Sequence, residues 1–265
     1  MKDYWKIADK RFKSRLLHCF GSVNDEIDLK TAVNFIKRSE TEFLTVYTQG
    51  KLNLMGNKDE LNMGYSGLRY KDIKKHIDVS KYTVLVNTNH ALSVDEAVSR
   101  AEIGSKLLKT KWIKLEVLNK KLTRPINKKV IKAAKILLKK GFIVMPLITA
   151  DLKDAVRLVK MKCSAIRVLL SDIGSEKGLV NKKLFKKICL KIKIPVIAEG
   201  GIGAPEDAYN AMAVGASAVL VNRSLFCYKD PLFFIDVLKQ SIKSGRLTYI
   251  CNQQRHDIKV DNNKT

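Results

Sequence analysis

The chain lacks most of the features that would tie it to a membrane, a metal or an oxidising compartment. No apolar run approaches the roughly 20 residues of a membrane-spanning helix, so no span and no membrane partner are expected. The first residues are polar and charged, without the apolar core of a signal peptide. Five cysteines (Cys19, Cys163, Cys189, Cys227 and Cys251) form no CxxC pair and no metal-ligand spacing. An odd, scattered set of this kind fits a reduced, cytoplasmic protein with no metal centre. No Ser–His–Asp or Cys–His pattern stands out. His18 and His90 fall near strand ends while His76 and His256 do not, and no two have metal-binding spacing.

Acidic residues are also scarce. There are 26 Asp and Glu against 50 Lys and Arg, a formal charge of +24. Such an excess points first to nucleic acid or an anionic surface. Its distribution argues otherwise: Lys far outnumbers Arg, the lysines are spread over what read as outer helix faces, and no basic run is interleaved with aromatics. Specific nucleic-acid recognition is therefore not expected. The charge reads as a solvated surface that still attracts anionic substrates or acidic partners.

What is present is a repeating pattern. Short apolar strands at 15–20, 43–48, 83–87, 112–117, 142–148, 165–170, 195–199 and 218–222 alternate with helical stretches. Among these are Asp28 to Lys37, Ser93 to Leu108, Asn127 to Lys139, Asp151 to Met161, and Pro231 to Ser244. Ser93 with Glu96 makes a capping box, and Gly141 ends the helix before it. Residues 49–80 are less regular and read as a loop or flap containing Gly56, Gly64 and Gly67. Ile7, Ala8 and Phe12 are available to close one end of a core. Eight strand-then-helix units in about 250 residues imply an α/β (β/α)8 TIM barrel, with an open doubly wound sheet as the alternative. The barrel is expected over residues 1–250 as one domain, followed by a polar tail over 251–265.

The strand at 112–117 carries the chemistry. Alternation puts Trp112, Lys114 and Glu116 on one face and Ile113, Leu115 and Val117 on the other. Inside a covered parallel sheet, a lysine and a carboxylate pointing the same way need a reason. One reading is an ion pair filling the interior. The other is an amine whose pKa is lowered by confinement so that it attacks a carbonyl, with a carboxylate beside it to move protons.

In a barrel, function gathers at the C-terminal strand ends, and phosphate is commonly held by the loops after the last two strands. Those loops are Gly200-Gly201-Ile202-Gly203 and Asn222-Arg223-Ser224. Glycines let the backbone approach an anion, and helix N-termini offer N–H groups to it; a tight turn before Pro205 is the plainer explanation. Gly174 offers further backbone donors, and Glu199 brings a second carboxylate to the mouth. Asn87 is either a strand-end cap or a substrate contact.

These residues resemble a family, the thiazole synthases of thiamin biosynthesis. The likeness covers most of the chain. It runs through Ile7-Ala8-Asp9-Lys10, Val86-Asn87-Thr88, Trp112-Ile113-Lys114-Leu115-Glu116, and Gly141-Phe142-Ile143-Val144-Met145-Pro146. It continues through Ile173-Gly174-Ser175, Gly201-Ile202-Gly203 and Ala218-Val219-Leu220-Val221-Asn222. The resemblance implies a (β/α)8 barrel and a homo-oligomer, dimer or tetramer, that needs no cofactor. The substrates it implies are 1-deoxyxylulose 5-phosphate, dehydroglycine, and sulfur from a small carrier protein ending in a Gly-Gly thiocarboxylate. Lys114 would form an imine with the sugar ketone, Glu116 and Glu199 would move protons, and Gly174, Gly200, Gly201, Asn222 and Arg223 would hold the sugar phosphate.

The rim departs from the family. Glu199 stands where aspartate is usual. Arg223 replaces a small residue, and is placed either to grip the phosphate or to crowd it. Asn89-His90 replaces small residues, Ser171-Asp172 replaces a Gly/Pro-containing turn, the first strand reads His18-Cys19-Phe20-Gly21, and the second ends without an arginine pair. These departures keep two alternatives open: a related sulfur-inserting synthase acting on a different sugar phosphate, and a non-catalytic basic paralogue.

Overall fold

The computed structural model describes residues 3–20, 28–48, 61–63 and 68–254. Eight parallel strands form its centre, each buried on both faces because one face meets the barrel interior and the other meets helices. They are β3 (Leu16–His18), β4 (Phe43–Thr48), β6 (Thr83–Asn87), β7 (Trp112–Leu115), β8 (Ile143–Thr149), β9 (Ile166–Leu169), β10 (Val196–Glu199) and β11 (Ala218–Val221). Neighbours pair in the order β3-β11-β10-β9-β8-β7-β6-β4. The sheet curls until β3 lies beside β4, and His18 Nε2 meets Ser39 Oγ, just ahead of β4, at 3.0 Å. The expected barrel is thus observed.

Two layers of apolar residues hold it. The outer layer, between sheet and helices, takes Ile113, Leu115 and Val117 from the lysine strand. The inner layer fills the barrel's lower half with Leu17, Phe43, Leu85, Met145, Ile197 and Ala218. Fully burying one such large side chain contributes on the order of 1.5–3 kcal/mol.

The lower end is plugged by a hairpin that the sequence reading treated only as a lead-in. β1 (Trp5–Ile7) and β2 (Lys10–Phe12) pair antiparallel. Trp5, Ile7 and Phe12 point in, whereas Ala8, expected to help close the core, sits exposed in the turn at φ 51°. Phe12 stacks on Phe43 with centroids 4.4 Å apart and meets Trp112 edge-on at 6.0 Å. Trp112 therefore fills space below Lys114, as its position on that face implied.

The helices are α1 (Leu29–Ser39), α2 (Tyr70–Ile73), α3 (Val94–Leu108), α4 (Asn127–Lys139), α5 (Leu152–Lys160), α6 (Lys182–Lys191), α7 (Pro205–Ala213) and α8 (Pro231–Gln253). Caps set their starts: Asp28 accepts from Thr31 N at 2.8 Å, Ser93 Oγ from Glu96 N at 3.1 Å, and Asp151 from Asp154 N at 2.9 Å. Glu96 reaches back to Leu92 N rather than to Ser93, so the reciprocal half of the box is shifted by one residue. Gly104 lets α3 approach the sheet closely; a Cβ there would stand 2.4 Å from Val86 Cγ1.

α8 runs nine residues past its expected end at Ser244 and includes residues 251–253 of the expected tail. Packing on α7 holds the extension: Gly245 sits against the Tyr209 backbone, and Thr248 Oγ1 bonds Tyr209 Oη at 3.2 Å. Residues 255–265, most of that tail, lie outside the described residues, as do Gly21, Gly56, Gly64 and Gly67. Of the irregular segment, β5 (Leu61–Asn62) adds antiparallel to β4, while Met63, Leu68, Tyr70 and Ile73 are buried.

Candidate active site

Register carries the charged side chains to one level, above the apolar plug. Lys114 pairs across to Met145 on β8, and Ile197 on β10 stands opposite Arg167 on β9. Two residues above Ile197 is Glu199, and two above Lys114 is Glu116, just past the end of β7. Glu116 is pinned by its backbone, with N donating to Thr88 Oγ1 at 2.8 Å and O accepting from that hydroxyl at 2.9 Å.

Four charges meet there. The Lys114 ammonium donates to Glu116 Oε1 and, at 3.1 Å, to Glu199 Oε1. Arg167 Nη1 donates to Glu116 Oε1 at 3.0 Å and to Glu199 Oε2 at 2.5 Å. The remaining guanidinium donors are fixed by backbone: Nε to the carbonyl of Met145 at 3.0 Å and Nη2 to that of Leu115 at 2.7 Å. Relative exposures are 3% for Lys114 and Glu116, 0% for Arg167 and 8% for Glu199. Two cations and two carboxylates leave the cluster neutral, the condition for burying charge at tolerable cost.

Of the two readings of this strand, the geometry shows the ion pair, and confinement does not lower the Lys114 pKa. Burial does push it down, and Arg167 pushes the same way, but Glu116 and Glu199 outweigh both, and the amine is held above the ordinary lysine range. Burial acts to raise Glu116, yet Lys114 and Arg167 together hold it below the ordinary carboxylate range. The resting lysine is an ammonium and has to lose its proton before it can act as a nucleophile.

Above the cluster opens a cavity of about 340 Å³, within the range of small-ligand sites. Every candidate named from the sequence lines it: Lys114, Glu116 and Glu199 at the floor, Gly174, Gly200, Gly201, Asn222 and Arg223 on one wall, and Asn87 opposite. Asn87 is also the strand-end cap that was the plainer reading, its Oδ1 accepting from Asn89 N at 3.0 Å. Tyr47, Asn89 and His90 complete that side.

The glycine wall is built by close approach. Gly201 has φ 69°, and a Cβ there would stand 1.7 Å from Ser171 Oγ. Gly200 has φ 77° and faces Leu169. Only glycine occupies such positions without strain. One expectation needs correction here. The amides of Gly203 and Ala204, at the start of α7, are not available to an anion, since Asp207 Oδ2 accepts from them at 2.9 and 3.0 Å. Residues 200–202, just before them, line the cavity. Arg223 is exposed, with Nη1 3.3 Å from where a Gly174 Cβ would lie, so its guanidinium covers the Gly174 loop.

One residue of the cluster, Arg167, escaped the sequence reading, and Ser224 entered it only as part of the loop after β11. Arg167 sits within a strand that reads as apolar, and the signal was there: a lone arginine between Ile166 and Val168 has no solvent to reach if the strand is central. Ser224 follows Arg223 in a short 3-10 turn (Arg223–Phe226); its Oγ is buried at the cavity with no hydrogen-bond partner among the described residues. Of the histidines, His90 lines the cavity and His18 does not. His18 is buried against Phe20 and Phe35, and burial drives its pKa down to about 3.

No group of three or more His, Cys, Asp or Glu among the described residues is arranged for a metal ion. No helix among them is long and apolar enough to cross a membrane.

Comparison with known proteins agrees with the geometry. The family described as thiazole biosynthesis protein ThiG matches residues 6–261. The thiazole synthase of Porphyra purpurea is 37% identical over 260 residues, covering 95% of this chain and 88% of that protein. That of Prochlorococcus marinus (strain MIT 9301) is 34% identical over 270 residues, covering 98% and 96%. Among solved structures, a chain of the Amycolatopsis orientalis BexX/CysO complex superposes with a TM-score of 0.84 at 26% identity, covering 97% of this chain and all of that one. A thiamine phosphate pyrophosphorylase from Pyrococcus furiosus, at 13% identity and a TM-score of 0.56, shares the fold alone. Matched along nearly its whole length, the chain belongs to the ThiG family, the thiazole synthases of thiamin biosynthesis.

Proposed function

We propose that the chain builds the thiazole phosphate of thiamin from 1-deoxyxylulose 5-phosphate, dehydroglycine and the thiocarboxylate of a small Gly-Gly-ending carrier protein, by way of an imine on Lys114. The observation that carries this reading is the single lysine at the cavity floor, touched by two carboxylates, below a wall of glycine backbone suited to a phosphate.

The chemistry follows from the charges. Lys114 passes its proton to a carboxylate, and the free amine attacks the sugar ketone with loss of water. The protonated imine acidifies the neighbouring carbon, and a carboxylate removes a proton from it, so that the carbonyl moves along the sugar. Gly174, Gly200, Gly201 and Asn222 hold the phosphate, with Arg223 over it. Ser224 supplies a hydroxyl that a bound phosphate oxygen would satisfy. Asn87 steadies the opposite side of the sugar. No metal or organic cofactor takes part. The similar chain from a complex named BexX/CysO supports a protein partner for this fold. We expect a cytoplasmic homo-oligomer.

A second reading, sulfur insertion into a different sugar phosphate, draws on the wall itself, where Arg223 covers the Gly174 loop and Asn89 and His90 line the opposite side. The test is a reconstituted reaction followed by mass spectrometry, with all three substrates and a panel of ketose phosphates. Thiazole phosphate formed from 1-deoxyxylulose 5-phosphate supports the first reading. Sulfur incorporation with another sugar only would move the assignment to the second, and none with any sugar would leave the non-catalytic paralogue.

A further inference from the structure

Arg167 is the largest fully buried side chain among the described residues, and each nitrogen of its guanidinium is engaged. Two of its bonds, to the carbonyls of Met145 and Leu115, hold the plane in place irrespective of substrate. The other two come from a single nitrogen, Nη1, which lies between Glu116 and Glu199. The Lys114 ammonium spans the same two carboxylates. Lysine and arginine are thus alternative counter-charges for one pair of acids, but only one of them is consumed in the chemistry. Once Lys114 has passed its proton to one of these acids and become a neutral amine, the pair holds that proton, and the other acid keeps its charge only while a cation stays beside it. A carboxylate that has taken up such a proton is no longer a base.

We propose that Arg167 is a positioning residue for the lysine chemistry, a permanent cation that keeps a carboxylate of the Glu116–Glu199 pair ionised and aimed at the imine while the charge on Lys114 is spent. This rests on the reading of Lys114 as the imine-forming lysine. A purely structural arginine would need only to be neutralised once. Here the backbone carbonyls fix the fork, and its charge-assisted bonds fall on both acids beside the reacting amine. The guanidinium does not reach the cavity, so its action runs through the two glutamates.

The other titratable groups facing the cluster do not replace it. Cys19, just beyond β3, is pushed up by burial and stays a thiol. His90, after β6, is pushed down by burial and is no cation at neutral pH. Tyr47 at the end of β4 lines the cavity and carries no positive charge.

The test is the rate of borohydride-trapped imine with 1-deoxyxylulose 5-phosphate, measured from pH 5.5 to 9.5 in the full chain and in Arg167→Met and Arg167→Lys. Removing the guanidinium takes a cation from Glu116 and leaves Lys114 more tightly protonated. Both changes move the acidic limb of the profile the same way, upward by about one pH unit or more. Arg167→Lys keeps a charge and loses the fork, so the limb stays near that of the parent while the plateau rate falls. If Arg167→Met does not fold, the lysine variant alone decides, because a structural role predicts a parental rate wherever that variant is folded. An unshifted Arg167→Met limb, or a parental Arg167→Lys plateau, overturns the inference and leaves the imine intact. No adduct in the parent chain at any pH overturns the imine reading, and this inference with it.

Discussion

The Lys114 ammonium on β7 reaches across the barrel to Glu199 on β10, Nζ to Oε1 3.1 Å, although 85 residues separate them in the chain. Glu116, two residues away, takes the same ammonium from the other side. The lysine therefore rests as a charged group between two acids, and attack on a ketone begins with a proton leaving it.

The two acids are not equivalent, and their amide variants separate them. Both are held by Lys114 and Arg167, but Glu116 is also fixed through its backbone by Thr88, and Glu199 is the more exposed of the pair. Glu199→Gln is expected to lower kcat by about 10²–10⁴-fold and to cost some stability, but less than Glu116→Gln, since its side chain lies nearer to solvent. Glu116→Gln is expected to lower both kcat and the unfolding free energy, the latter by about 3–5 kcal/mol, since two buried cations lose a shared partner. Steady-state kinetics beside urea denaturation make the comparison; equal stability losses would contradict it.

The same cluster sets a pH window for stability. Glu116 has its pKa depressed, so its contribution is present above the ordinary carboxylate range and is lost as pH falls through the depressed value. Lys114 has its pKa raised, so its contribution is full below the ordinary lysine range and is lost only as pH rises through the higher value. Urea unfolding across pH should show no loss from this pair anywhere near neutrality. A fall between pH 7 and 9 that Lys114→Met abolishes would contradict this assignment.

His18 adds a loss of stability on the acid side, in the same direction as Glu116 but beginning at higher pH. Its folded-state pKa is depressed to about 3 by burial, below the ordinary 6.5, so unfolding takes up a proton as the pH falls through 6.5. Stability is then lost steadily toward pH 3, by about 2–3 kcal/mol at pH 4.5. His18→Phe removes that slope while losing the bond to Ser39 at every pH. Denaturation at pH 7 and pH 4.5 reads it: the gap between the two should shrink in the variant, and an unchanged gap would show that His18 titrates freely.

Gly201 is the sharpest test of the phosphate wall. Its φ of 69° and the 1.7 Å approach to Ser171 Oγ leave no room for a methyl group. Gly201→Ala should raise KM for the sugar phosphate by tenfold or more and destabilise the fold by about 1–3 kcal/mol. Adding Ser171→Gly should recover part of the stability but not the KM, because the backbone conformation remains strained. Recovery of both would mean that the loop does not hold the phosphate.

Much of this was legible in the amino-acid order, and the parts that were not share a cause. Strand and helix alternation is local, so β7 to α7 fell where the pattern put them, and α8 began where expected but ran on past Ser244. Lys114 and Glu116 announced themselves because two charges on one face of an apolar strand are visible within six residues. The hairpin at Trp5–Phe12 did not, because two three-residue strands full of Lys, Arg and Asp carry no alternation long enough to read. Arg167 and the upward pull on Lys114 were hidden for a different reason. Both depend on which residues of β9 and β10 closure brings level with β7, and that register is set by the barrel, not by any one strand. The occupation of the Gly203 and Ala204 amides by Asp207 was likewise a cap four residues away that mimicked an empty anion site.

The central claim, that Lys114 forms the imine, has a direct measurement. The full chain is incubated with 1-deoxyxylulose 5-phosphate and borohydride, and its intact mass and tryptic peptides are recorded beside Lys114→Ala. The account predicts one adduct of sugar less water plus two hydrogens, on the peptide carrying Lys114 and absent from the variant. An adduct that persists in Lys114→Ala, or none in the parent chain, would contradict it.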